Sequence, residues 1–243
     1  MVYRPLIELV HQIAPDLIAV SGDLTQRARA SEFQAARDFL KALPKPQIVV
    51  PGNHDVPLHN VYARFITRFG SFGQYITPDF EPFFSDGEIA ALGVNTARSL
   101  VFKGGRVNSG QVARIEERFR DAQDRVKILV AHHPFDLPEH LGDQDLVGRA
   151  KMALAAMSRC NVDLVLSGHL HTTHTMVGRS AIFIQAGTAL STRERGEANS
   201  FNVIRVDADH IAIEQHSWDH RTHTFSSCAA EEFHRAEAGW FRA

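Results

Sequence analysis

The chain has 243 residues, 44% hydrophobic and 22% charged, which is enough for the buried core of one large domain or two small ones. Its 26 basic and 28 acidic residues leave a formal charge of −2, with no long run of one sign. Bulk charge therefore argues against general binding to nucleic acid or to a membrane surface.

The two cysteines are far apart and form no CxxC pattern. This usage predicts a reduced compartment with two incidental thiols, a single disulfide being the alternative. No apolar segment is long enough for a signal peptide core or a bilayer span. We therefore expect a cytoplasmic protein that does not insert into membranes.

Strand-like and helical patterns alternate over the first two-thirds of the chain, without a repeat or a linker. Apolar spacing predicts, in chain order, helix Arg4–Ile13, strand Leu17–Ser21, helix Ser31–Leu43, strand Gln47–Val50, helix Leu58–Phe69, a loop over 70–84, strand Glu88–Val94, a helix from Ser109 to about Ala122, strand Val126–Ala131, helix Leu146–Cys160 and strand Asp163–Ser167.

The last third of the chain is rich in short strands. Its pattern predicts strands His174–Gly178, Ala181–Ala186, Phe201–Asp207 and His210–Ser217, with few helices until Glu231. Alternating βα units followed by a β-rich run predict an α/β fold in which a mixed sheet packs on a second sheet, with helices outside. We treat residues 1–243 as one domain, in which 207–243 form a C-terminal extension.

Four of the early strands are followed at once by side chains that bind metals or move protons. The segments are Gly22-Asp23, Asn53-His54-Asp55, His132-His133 and Gly168-His169-Leu170-His171. Reacting groups of α/β sheets lie at the carboxyl ends of strands, so four such segments in series predict one composite site.

The residue types of this composite site suit a divalent metal ion. Imidazole nitrogens combine with carboxylate and amide oxygens, and no thiolate is present. Taken singly, Asp23 could instead cap a turn, and His133 could be a hydrogen-bonded core histidine. The sequence alone does not choose among Mn, Fe, Zn and Co.

The segments GDLTQRA, PGNHDVP, HHP and GHLH resemble the successive motifs of the calcineurin-like metallophosphoesterases, in particular those of the bacterial cyclic-nucleotide phosphodiesterases. The resemblance extends from residue 4 to about residue 206. It implies a two-sheet sandwich flanked by helices, with two divalent ions at the strand ends. It also implies hydrolysis of a small phosphoester, in which a metal-activated hydroxide attacks phosphorus.

The resemblance assigns a role to each of these residues. Asp23 resembles the carboxylate that bridges both ions, and His171 resembles a ligand of the first ion. Asn53, His132 and His169 resemble the remaining ligands of the second ion. His54 resembles a histidine that contacts phosphate and protonates the leaving oxygen. We expect Asp55 to orient that imidazole.

One motif of the family is missing from the sequence. The family pattern begins with a strand that ends in Asp-x-His, and before Gly22-Asp23 only His11 and Asp16 occur, in another arrangement. The fold is therefore expected to lack its first strand, and we expect Met1 to be an internal start of a longer natural protein. The ligands that remain predict one well-held ion and one weak or empty position.

The alternative to an active phosphodiesterase is therefore a metal-binding scaffold with an incomplete first site. Cleavage of nucleic acid is disfavoured by the lack of a basic stripe. The loop over 187–201 could cover the site, and Arg193 and Arg195 in it could meet a phosphate, although ordinary surface arginines are the simpler interpretation. Three histidines near the C-terminus have irregular spacing that favours exposed or packed side chains over a metal site: His216, His220 and His223.

Overall fold

The structure is a computed structural model that describes residues 2–57, 69–98, 104–122, 124–142, 144–190, 197–237 and 239–243. Its helices are α1 Tyr3–Ile13, α2 Ala30–Ala42, α3 Gly70–Tyr75, α4 Ser109–Arg120 and α5 Ala150–Arg159, with a 3₁₀ turn at Glu139–Leu141. Its strands are β1 Ile18–Val20, β2 Gln47–Val49, β3 Phe83–Ser85, β4 Ile89–Val94, β5 Val126–Ala131, β6 Leu164–Ser167, β7 His174–Val177, β8 Ile182–Gln185, β9 Ser200–Val206, β10 His210–Asp219, β11 Thr224–Ala236 and β12 Gly239–Arg242.

Six strands form the main sheet, in the order β3-β4-β5-β6-β8-β7. The four central strands β4, β5, β6 and β8 run parallel, and the two outer strands pair antiparallel. Both β4 and β5 are buried along their whole length, as expected for parallel strands that are covered on both faces. Strands β1 and β2 form a separate parallel pair.

The second sheet is antiparallel, in the order β12-β11-β10-β9. Its inner face contributes Ile211, Ile213, Phe233 and Trp240 to a core cluster that also contains residues of β4, β5, β6 and β8. The two sheets therefore pack face to face, and residues beyond 207 supply most of one layer of the sandwich.

Helices cover the outside of the sandwich. Val112, Ile115 and Phe119 of α4 and Ala153 and Met157 of α5 pack on the outer face of the main sheet. Phe33 and Leu40 of α2 cover β2, and Leu6 of α1 packs against the second sheet. The predicted packing of a mixed sheet on a second sheet, with helices outside, is confirmed. No helix in the described part of the chain is both long and apolar enough to cross a bilayer.

Two local predictions are wrong. The stretch 70–84, expected to be a loop, contains helix α3 and the start of β3, because the side chains of Phe72 and Phe80 pack into the apolar cluster under α2. The helix implied from Glu231 onwards is instead the end of β11, since buried Phe233 faces the core while its neighbours face solvent. The predicted helix Leu58–Phe69 lies almost wholly outside the described residues.

Candidate metal centre

Asp23 is brought to the end of β1 by a tight turn. Gly22 has φ +90°, and a Cβ atom there would lie 2.6 Å from the Gly52 amide nitrogen, so this position requires glycine. Asp23 itself has φ +56°. Its Oδ1 atom accepts a hydrogen bond from the His54 amide at 2.9 Å. The loops after β1 and β2 are thereby joined at the carboxyl ends of their strands.

His132 follows β5 directly and is almost completely buried. Its Nδ1 atom lies 2.7 Å from the Ser21 carbonyl oxygen. Because a carbonyl oxygen only accepts hydrogen bonds, Nδ1 carries the proton and donates it. The Nε2 atom of neutral His132 therefore has a free lone pair. This contact fixes the ring so that the lone pair faces the ends of the neighbouring strands.

Three other atoms that can act as metal ligands surround that lone pair. His132 Nε2 lies 2.9 Å from Asn53 Oδ1, 3.3 Å from His169 Nδ1 and 3.4 Å from Asp23 Oδ1. The Asn53 oxygen also lies 3.1 Å from His169 Nδ1. The structure thus brings together four side chains that are spread along the sequence from position 23 to position 169.

These separations fit ligands of a single ion. Atoms bound to one ion at about 2.1 Å lie about 3.0 Å apart at right angles and about 3.4 Å apart in a tetrahedral arrangement. A carboxylate oxygen, an amide oxygen and an imidazole lone pair repel each other when nothing lies between them, whereas a cation attracts all of them. The donor set therefore fits a divalent ion, which Asp23, Asn53, His132 and His169 could hold.

His169 is suited to bind metal because it is neutral at ordinary pH. Burial, followed by the nearby His132, lowers the pKa of His169 to about 4. It has φ +81°, an unusual conformation for a residue other than glycine, and it directly follows Gly168 after β6. The sharp turn aims the imidazole back over the end of the strand.

His54 adjoins the centre through its backbone amide, which binds Asp23, and one of its ring nitrogens is already engaged. Its Nδ1 atom is 3.0 Å from the Gln26 carbonyl oxygen, so Nδ1 donates and Nε2 is left for other partners. The expectation that Asp55 orients this ring is wrong, because the Asp55 carboxylate binds elsewhere.

Asp55 instead holds the two loops together. Its carboxylate accepts hydrogen bonds from the amides of Thr25 and Gly52 at 2.9 Å each and from the amide of Leu24 at 3.2 Å. Burial, followed by the negative charge of Asp23, raises the pKa of Asp55 to about 7. The role of Asp55 is therefore to position the loop that carries Asn53.

Two further residues adjoin the centre. His133 is fully buried, with its Nδ1 atom 2.8 Å from the Thr96 hydroxyl, and its ring packs against those of His132 and His169. Asp145 lies close enough to raise the pKa of His169 through its charge. Sequence reasoning missed Asp145 because it belongs to no strand-end segment, and no local pattern marks it.

His171 lies at the edge of the same group. It has φ +62°, and its Nδ1 atom is 2.9 Å from the Thr188 hydroxyl. It is close enough to His169 to lower that residue's pKa. Both Arg193 and Arg195 lie outside the described residues. Two of the three C-terminal histidines, His220 and His223, lie in the turn after β10, and all three have ring contacts with neighbouring aromatic side chains.

Comparison with known proteins gives relatives of two kinds. The chain is 32% identical over 127 residues to a glycerophosphodiester phosphodiesterase of Enterobacter lignolyticus, a match that spans 49% of this chain and 42% of that protein. It is 23% identical over 205 residues to a probable cyclic nucleotide phosphodiesterase of Coxiella burnetii, over 84% of this chain and 75% of that protein. The chain thus matches less than half the length of the first of these relatives.

The fold is also found in a solved structure, that of a dimetal phosphatase from Danio rerio. The two share 13% identity with a TM-score of 0.67, over 88% of this chain and 85% of that one, which shows likeness of fold alone. The profile of the calcineurin-like phosphoesterases matches residues 2–173. With the motifs in order and the strand ends converging, the chain belongs to the calcineurin-like phosphoesterase family.

Proposed function

We propose that this chain hydrolyses small phosphodiesters with the help of a divalent ion held by Asp23, Asn53, His132 and His169. The observation that carries this proposal is the convergence of their four ligand atoms. The other three lie 2.9–3.4 Å from His132 Nε2, and those of Asn53 and His169 lie 3.1 Å apart. Membership of the family and the phosphodiesterase names of two relatives support it.

A bound divalent ion supplies a Lewis acid, which neutralises phosphoryl charge and lowers the pKa of water. The chain's own residues supply the rest. The Nδ1–H group of His54 donates a hydrogen bond to the Gln26 carbonyl, so Nε2 is the atom left for the substrate, and it could pass a proton to the leaving oxygen when the ring carries a second proton there. Asp55 fixes the loop that carries both Asn53 and His54 through three backbone amides. Preorganised positions of this kind lower the reorganisation needed during the reaction.

The first metal position of the family is proposed to be weak. Asp23 and His171 would hold it, and the contact of His171 with the Thr188 hydroxyl competes for one imidazole nitrogen. We therefore propose one well-held ion per chain. Mn, Fe, Zn and Co all accept this donor set.

The small number of ligands at the position of Asp23 and His171 favours a second candidate function, a metal-binding scaffold without useful turnover. If hydrolysis needs both ions, a weak first position would leave a chain that binds metal and does not react. The substrate class also has two candidates, glycerophosphodiesters and cyclic nucleotides, which are the substrates in the names of the two relatives.

The experiment is a chromogenic assay with bis(p-nitrophenyl) phosphate and added Mn²⁺, followed by a glycerophosphodiester and a 3′,5′-cyclic nucleotide as substrates. His132→Ala is compared with His220→Ala, which removes an exposed imidazole from a turn outside the centre. We expect turnover that chelation abolishes and that only His132→Ala lowers. Metal-dependent turnover unchanged in His132→Ala would refute the proposed site, and bound ion without turnover would favour the scaffold.

A further inference from the structure

A second group of metal-binding side chains lies on the outer face of the four-stranded sheet. His210 of β10 and Glu232 and His234 of β11 place their ligand atoms within 4.8 Å of one another. The two imidazole rings have centroids 4.9 Å apart, and His210 Nε2 lies 3.8 Å from a Glu232 carboxylate oxygen. All three remain partly or largely exposed, so an ion from solvent can reach them.

The strand register fixes this arrangement. His210 is directly opposite His234 in the antiparallel pair, and Ala212 is opposite Glu232. Residues that alternate along a strand share a face, so all three ligand side chains point to the same side. The residues between them, Ile211 and Phe233, point the other way into the core, and both are fully buried. The backbone under the three side chains is therefore held by the core.

We propose that His210, Glu232 and His234 form a separate binding site for a borderline divalent ion such as Zn²⁺. Two imidazoles and one carboxylate are the ligands that zinc accepts, and three protein ligands leave a fourth position for water. Mg²⁺ and Ca²⁺ are not expected there because they prefer oxygen ligands.

The three side chains need to move little to bind an ion. Ligand atoms of tetrahedral zinc lie about 3.3–3.4 Å apart at bonds of about 2.0–2.1 Å. The present separations, at most 4.8 Å, exceed this by about one C–C bond. Rotation of exposed side chains, foremost that of Glu232, closes this gap without a change in the backbone.

This site is distinct from the metal centre at the strand ends. Arg235, the neighbour of His234, binds the Asp163 carboxylate beside the first residue of β6, whereas His169 follows the last residue of that strand. The two groups therefore lie at opposite ends of β6. Since His210, Glu232 and His234 also face away from the sandwich core, an ion there would join β10 to β11 and would not take part in hydrolysis.

The experiment is a titration of the full chain with Zn²⁺, followed by the ¹⁵N signals of the histidine rings. Stoichiometry is measured by calorimetry for the natural chain, for His234→Ala and for the matched control His220→Ala. The control removes an exposed imidazole from the other end of the same hairpin, about 30 Å along the strand at 3.4 Å per residue.

We expect the natural chain and His220→Ala to bind one more zinc ion than His234→Ala, and Glu232→Gln to weaken that ion about tenfold or more. The ring signals of His210 and His234 should shift together in the natural chain, a measurement that does not depend on any variant folding. Phosphodiester turnover of His234→Ala should equal that of the control. Equal zinc stoichiometry in all variants would overturn the proposal, and so would ring signals that excess zinc does not shift. Either result would show that His210 and Glu232 form only an ion pair between strands.

Discussion

The two ends of strand β6 show how the same kinds of polar residue serve different purposes. At its beginning, buried Asp163 accepts hydrogen bonds from the Lys127 amide at 2.8 Å and the Trp240 indole at 3.1 Å, and it pairs with the Arg235 guanidinium. At its other end, His169 Nδ1 meets Asn53 Oδ1 and the Nε2 lone pair of His132, two atoms that only accept. Donors match the acceptor at one end, whereas acceptors outnumber donors at the other.

This difference separates structural from functional polar groups. Burial raises the pKa of Asp163, while its donors favour the charged carboxylate and thereby tie the second sheet to the first. The excess of acceptors around His132 and His169 does not stabilise the fold by itself, and such an excess is tolerated where a cation can be bound. We therefore expect changes at the beginning of β6 to affect folding, and changes at the strand ends to affect metal binding and turnover.

The largest effect is expected for His54→Ala. Loss of the Nε2 proton donor should lower kcat for bis(p-nitrophenyl) phosphate about 10²–10⁴-fold, the usual range for positioned proton transfer. Steady-state kinetics at saturating Mn²⁺ provide the measurement. Metal content and denaturation midpoint should stay unchanged, because the ring is only half-buried and lies outside the ligand group. Near-normal turnover would remove His54 from the mechanism.

Asp163→Ala tests the other end of the strand. It leaves the buried Lys127 amide and Trp240 indole without their acceptor, which costs about 1–3 kcal/mol for each group and about 2–6 kcal/mol together, whereas water solvates the exposed Arg235 guanidinium. We expect urea denaturation to show a loss in that range, while turnover per folded molecule is retained. Asp163→Asn, which keeps one acceptor oxygen, should lose less. A loss of activity without a loss of stability would contradict the division of roles.

The stability of the metal-free protein should depend on pH through His169. The pKa of His169 is about 4 in the folded chain, whereas its ordinary value, expected in the unfolded chain, is 6.5. Between pH 4 and pH 6.5 the imidazole therefore binds more protons in the unfolded state. The contribution of His169 to stability therefore falls by at most about 3 kcal/mol as the pH falls from about 6.5 to 4. The raised pKa of Asp55 acts in the opposite direction over the same range, so the contribution of His169 is isolated as the difference between the natural chain and His169→Asn. Denaturation of both chelator-treated proteins over this range is the measurement, and a difference that does not change with pH would contradict the assignment.

The smallest effect is expected at an exposed ion pair. Arg159 of α5 lies 3.0 Å from Glu116 of α4, and both side chains are solvent-accessible. Such pairs contribute about 0–1 kcal/mol, so Arg159→Gln should shift the free energy of unfolding by less than about 1 kcal/mol. The free energy of unfolding is measured under the same conditions as for Asp163→Ala. A larger loss would show that charge pairing, rather than burial, decides how firmly α4 and α5 are held.

Much of the centre could be predicted from single segments. Asp23, Asn53, His132 and His169 each follow an apolar strand, and parallel strands bring their carboxyl ends to one edge. The alternation of strands and helices likewise predicted the two-sheet sandwich. Asp145 could not be predicted, because its closeness to His169 depends on how a distant loop folds back. The strand in place of a helix after Glu231 depends on Phe233 reaching a core made by other strands.

The sequence by itself determined which chemical groups stand at the strand ends, because residue type and strand position are both written locally. Only the tertiary structure decided how those groups are used. The Ser21 carbonyl selects the free nitrogen of His132, the Gln26 carbonyl selects that of His54, and backbone amides take the Asp55 carboxylate away from the imidazole. Hydrogen-bond partners come from elements far apart in the chain, and no local pattern specifies them.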